Sequence, residues 1–228
     1  MKKKWVLAAG AAIVVLAGGG YLTYDYFTGN QVEIKEVIGE ADAAAASGAV
    51  VTGEQLNGEW TIADGSEVYI SMTTSKETVN MTAGTVTGKW MIDTANAGQI
   101  TAEGAVDLEG LDSGNPMRDG HIKGDQYLNA AAHPQATFAA ASIDGFPESW
   151  SEGVAVPLQL KGTLNVRGVD KEVVFDSQAV YEQGQVKLEG STIVTFADFG
   201  MENPHQVLVE TENDVKVELQ LLLDKPAV

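Results

Sequence analysis

A chain of 228 residues, 44% of them hydrophobic and 25 of them glycine, can build one domain with a sizeable core and has residues to spare at one end. The absence of cysteine excludes disulfides, thiolate nucleophiles, thiolate metal sites and lipid attachment through a cysteine thioether. A formal net charge of −18, with Lys2, Lys3 and Lys4 holding three of the 14 basic residues, leaves a surface that repels nucleic acid and anionic headgroups, so no nucleic-acid partner is expected.

Those three lysines precede an uncharged run from Trp5 to Leu22, whose 18 residues would span roughly 27 Å as a helix at ~1.5 Å per residue. That length predicts one N-terminal transmembrane helix within residues 1–27. The lysines keep its start in the cytoplasm, so the expected location is the cell membrane, single-pass, with the C-terminal domain outside the cytoplasm. A signal peptide cleaved near Ala17-Gly18-Gly19, releasing a secreted protein, is the alternative. Tyr21, Tyr24, Tyr26 and Phe27, placed where an outer aromatic belt would lie, favour retention. Residues 28–57 turn acidic and rich in small residues around Ala43–Gly48, and read as a linker with a possible helical stub between Gln31 and Ala46. As a flexible coil, such a linker reaches about 30 Å.

From Gly58 to about residue 224 a period of two takes over. Val68, Ile70 and Met72 alternate with other residue types, as do Ala102, Gly104, Val106 and Leu108. Between Asp112 and Phe138 the alternation stops. Asn115-Pro116 is a helix start, since the asparagine can accept an orphan N–H and proline loses nothing at the first helical position. Asp125 opens a second turn whose Tyr127-Leu128 pair must be buried, and His133-Pro134 returns the chain to extended geometry. A short helical lid carrying Arg118, Asp119 and His121 is therefore inserted between two strands.

Val154 to Val166 shows the cleanest alternation, with Leu158, Leu160, Gly162 and Leu164 on one face and Gln159, Lys161, Thr163 and Asn165 on the other. Strands follow at 173–181, 185–196 and 215–223, with turns at Glu182-Gln183-Gly184 and Gly168-Val169-Asp170-Lys171. The fold predicted is all-β, an eight-stranded antiparallel up-and-down barrel with the lid inserted. A barrel of that size is either filled by its own side chains or holds one slender ligand. Ala102, Gly104, Ala140, Gly162 and Gly190 at inward positions predict an open tunnel, whereas Trp90, Phe138, Phe175 and Phe196 could fill it.

No catalytic residue is expected. No serine stands in a nucleophile elbow and no glycine-rich loop follows a strand and opens a helix. His121, His133 and His205 match no metal spacing, so no metal or cofactor is expected either. An Arg-Asp pair such as Arg118 and Asp119 commonly braces a lid, and a single histidine on a short helix commonly packs.

Four blocks in order, Arg118-Asp119-Gly120-His121-Ile122, His133 to Phe138, Gly162 to Val169 and Asp198-Phe199-Gly200, resemble those of the YceI-like family over residues 58–224. The resemblance implies a lipocalin-like barrel that holds a polyisoprenoid chain outside the cytoplasm. It further implies that Arg118, Asp119 and His121 order the tunnel entrance, with Arg118 bracing the lid or facing a headgroup. Arg118 and His121 at the entrance, with Trp90, Val106, Leu108, Phe138 and Leu158, are then expected ligand contacts. So are Leu160, Leu164, Phe175, Phe196 and Phe199. The chain departs from the family at His133, where many members have tyrosine, and at Phe196-Ala197, where many have a basic residue before Asp-Phe-Gly. Those departures point away from a pyrophosphate headgroup and toward a neutral ligand such as an isoprenoid quinone or a free polyisoprenoid. The function expected is a membrane-tethered carrier of an apolar lipid, with the cell membrane contacted through the N-terminal helix and the protein partner unknown. The alternative is a solid-cored β domain serving as a surface adhesion or assembly module, and an apolar void inside the barrel separates the two.

Overall fold

The computed structural model describes residues 29–39, 48–96, 100–147, 149–204 and 210–226. The expected transmembrane run lies outside these residues, and no helix among them is long and apolar enough to cross a membrane.

Seven strands follow one another round the barrel: β5 (Val86–Ile92), β6 (Thr101–Asp107), β7 (Gln135–Asp144), β9 (Val156–Val166), β10 (Val169–Glu182), β11 (Gln185–Thr195) and β12 (Thr211–Asp224). Each pairs antiparallel with the next, and β12 closes onto β2 (Gly58–Ile62), which pairs with β5. Eight strands thus close into an up-and-down ring, joined last by the pairs Leu223–Ile62 and Asp224–Thr61 between β12 and β2. Two further strands, β3 (Glu67–Thr74) and β4 (Thr78–Thr82), extend from the same edge of β12 that meets β2. Only a single bridge, Thr82 to Asp112, joins β4 to the segment after β6 among the described residues.

The hairpin after β9 is tighter than the expected turn at 168–171. Arg167 and Gly168, with φ of 46° and 80°, form a two-residue turn, so Val169 to Lys171 already belong to β10. Gln183 and Gly184 do the same between β10 and β11. Positive φ at both central residues gives the turn a twist that matches the strands it joins.

The end of the barrel away from these β9–β10 residues is plugged. A short pair, β1 (Val50–Val51) with β8 (Trp150–Ser151), and the helical turn α1 (Gly53–Leu56) place Leu56, Trp60 and Trp150 in the core. Trp60 Nε1 donates to the Leu56 carbonyl at 2.7 Å, which satisfies the indole where water is excluded. Residues 50–57 are therefore integral to the domain. Residues 31–39 contain no helix, which corrects the expected helical stub over that part of its range.

Gly162 does not open the bore at its level, contrary to expectation. A Cβ there would overlap the Ala139 carbonyl oxygen and lie 2.8 Å from the Phe138 ring. Its missing side chain lets β7 approach and Phe138 turn inward, to meet Phe175 edge-on at 5.3 Å. Gly162→Ala is accordingly expected to cost roughly 1 to 3 kcal/mol through overpacking, read as a fall in the urea midpoint. An unchanged midpoint would show that Phe138 and β7 can give way.

Candidate functional site

The lid is ordered by its own local chemistry. Asn115 caps α2 (Pro116–Ile122), accepting from the N–H groups of Met117 and Arg118 at 3.1 and 3.2 Å. This sets Arg118 and Asp119 on the buried face of the helix, where both converge on Ser113. Asp119 Oδ1 accepts from the Ser113 N–H at 2.9 Å and from its hydroxyl at 2.5 Å. Arg118 Nε donates to Ser113 Oγ at 2.8 Å, and its Nη2 donates to the carbonyls of Ser113 at 2.8 Å and Gly29 at 3.2 Å. Arg118 thus braces the lid against the preceding loop and against Gly29. His121 lies at the rim with its ring 5.0 Å from Tyr127.

Beneath the lid lies a cavity of about 250 Å³. Its walls are Ile70, Met72, Val79 and Met81 from β3 and β4, Val215 and Val217 from β12, and Leu164, Val166, Phe196 and Phe199 across from them. Half-exposed Thr74, Thr195, Met201, Pro204 and Thr211 lie around its rim. A second cavity of about 110 Å³ lies deeper, among Trp90, Val106, Leu108, Phe138, Leu160 and Phe175. Ile70, Leu128, Leu164, Val166 and Val217 line both, so they form the junction between the two spaces. Each space far exceeds the ~30 Å³ share of one water, and apolar walls offer water too few partners to hold it. The barrel is widest near the lid and narrows lower down, where Trp90, Phe138 and Phe175 wall the smaller cavity without filling it.

Eleven of the twelve expected contacts therefore line one of the two cavities, Arg118 and His121 included. Leu158 does not. It is 3% exposed and packs in the core below, because its strand passes the narrowing at Gly162 and Leu160 before reaching it. Sequence reasoning missed the β3–β12 wall, although Val68, Ile70 and Met72 carried the alternation that marks it.

Two charge effects shape the rim. Lys171 Nζ lies 2.5 Å from Asp198 Oδ1, and this contact, with the Thr195 N–H, holds the Asp198 carboxyl below the usual carboxylate range. The 3-10 turn Phe196–Phe199, closed by Gly200 at φ 67°, is fastened there with its two phenylalanines turned inward. Burial, reinforced by the negative charge of Glu202, pushes the Tyr127 phenol up. Among the described residues no three His, Asp or Glu side chains gather as a metal cluster, and His205 lies outside them.

The YceI-like domain model matches residues 60–223 of this chain. The UPF0312 protein of Shewanella denitrificans is 30% identical over 125 residues, covering 50% of this chain and 59% of that protein. A UPF0312 protein of Yersinia pestis is 26% identical over 138 residues, covering 57% and 70% respectively. The chain thus spans about three-fifths of the length of the Shewanella relative. Among solved structures, BcnA of Burkholderia cenocepacia superposes with a TM-score of 0.59 at 17% identity, over 69% of this chain and 95% of that one. A polyisoprenoid binding domain from Saccharophagus degradans, implicated in plant cell wall breakdown, gives 0.59 at 16% identity over 73% and 98%. At such identities the likeness shows the barrel fold.

Proposed function

This chain belongs to the YceI-like family, and from that premise we propose that it is a membrane-tethered binding protein that carries a long apolar lipid of isoprenoid type outside the cytoplasm. The observation that supports this most is the apolar cavity of about 250 Å³ under the lid, with the smaller one continuing beyond Leu164. A ligand chain laid there contributes about 0.8 kcal/mol for each CH₂ it removes from water, so a few isoprene units outweigh the cost of ordering them. Binding needs no catalytic group. The Saccharophagus domain, described as binding a polyisoprenoid, supports the same ligand class. Arg118 is turned onto Ser113 and Gly29, which favours a neutral ligand such as an isoprenoid quinone or free polyisoprenoid over a charged headgroup. Trp5–Leu22 supplies the membrane anchor in this reading, and the lid sets the rate at which the ligand exchanges.

Organic extraction of the purified protein followed by mass spectrometry tests the reading. The expected result is an isoprenoid lipid in near-equimolar amount. An extract without lipid, from protein that never met detergent, would restore the adhesion or assembly module as the better account.

A further inference from the structure

Residues 29–39 lie along the outside of the barrel as an extended strap. Val32 and Ile34 are half buried and alternate with exposed Gln31, Glu33 and Lys35, so one side of the strap faces the sheet. Its polar contacts descend in order. The N–H groups of Gly29 and Asn30 donate to the Glu77 carboxylate at 2.5 and 3.4 Å, and Asn80 bonds both the Asn30 side chain and the Val32 carbonyl. The Lys35 N–H donates to Tyr69 Oη at 3.1 Å, and those of Val37 and Ile38 donate to Gln220 and Glu189 at 2.9 and 2.8 Å. Tyr69 and Gln220 point away from the lumen and are nevertheless 0% and 5% exposed, in keeping with the strap lying over them. Burial and the hydrogen bond to Glu67 push the Tyr69 phenol up to about 12, so it stays a donor to Glu67.

We infer that this strap fixes the barrel's attitude at the bilayer, holding the lid end with the larger cavity toward the lipid surface. This rests on the tethered-carrier reading above. Gly29 is bonded at the β3–β4 turn and to the lid through Arg118, both at the cavity end. Seven residue steps separate Gly29 from Leu22, the last residue of the apolar run, and a fully extended chain covers at most about 25 Å in that number. The plugged end is farther, by up to the ~37 Å that an 11-residue strand such as β9 spans. A free linker from 28 to 57 would let either end reach the bilayer, whereas the docked strap puts the short connection at the lid end. The partner surface is therefore the lipid bilayer facing the lid, and the apolar ligand has a short path between the two.

The chain has no cysteine, so single cysteines report unambiguously. Met117→Cys on the lid helix and Val154→Cys near the plugged end both replace exposed residues. Each is labelled with a fluorophore in the full chain and reconstituted into phosphatidylcholine vesicles containing a nitroxide-headgroup lipid. Loss of most of the emission at 117 and little at 154 is expected. Glu77→Ala with Asn80→Ala, or Lys35→Pro within the strap itself, should abolish that difference while the protein still floats with the vesicles. Equal quenching in the parent, stronger quenching at 154, or a difference that survives both undocking variants would overturn the orientation and leave the tether standing. Protein that does not float with the vesicles overturns the tether and the orientation together.

Discussion

Replacing Arg118 by alanine is expected to lower the stability of the domain by roughly 1 to 3 kcal/mol, the range for leaving a buried hydrogen-bonding group without its partner. Arg118 and Asp119 are 5% and 8% exposed, and Ser113 between them is wholly buried. Without the guanidinium, the Ser113 carbonyl and hydroxyl lose their donors, and the Asp119 carboxylate loses a neighbouring positive charge in a dry setting. The urea midpoint should fall clearly for Arg118→Ala and hardly at all for Met117→Ala, whose side chain is 61% exposed on the same helix. The identity of the bound lipid should not change, because the guanidinium is directed at Ser113 and Gly29. A midpoint equal to the parent's, together with a switched lipid profile, would assign Arg118 to headgroup recognition instead.

Leu164→Trp is expected to abolish lipid retention with little loss of stability. Leu164 lines both cavities and sits opposite Phe138 on β7, so added bulk there enters the junction through which a ligand chain must pass. Because the side chain borders open space, the larger ring can be taken up without the roughly 1 to 3 kcal/mol penalty of overpacking. Gln159→Trp on the same strand faces solvent and serves as the control that keeps its lipid. Mass spectrometry of the extract and the urea midpoint are read together. Retained lipid in Leu164→Trp would mean that the chain occupies only the larger cavity, and a large fall in midpoint would mean that the junction is packed solid.

The barrel was legible in the sequence because a half-buried strand repeats every two residues. A slip by one residue in Val156–Val166 would turn Lys161 and Asn165 into the lumen, so inward Leu160 and Leu164 follow from pattern alone. The lid was legible for a similar reason: Asn115-Pro116 signals a helix start locally, and Arg118 and Asp119 follow at a fixed offset. Which inward residues fill the bore and which leave it empty was a tertiary matter. Gly162 reads as open space in one strand, but across the ladder its gap belongs to Phe138, and the larger free volume lies instead against β3, β4 and β12. The strap escaped notice although Val32 and Ile34 alternate like strand residues, because an acidic, alanine-rich neighbourhood masks a pair of apolar residues. Its hydrogen bonds also go to side chains far away in sequence, and only the folded barrel brings Glu77, Tyr69, Gln220 and Glu189 into line beneath it.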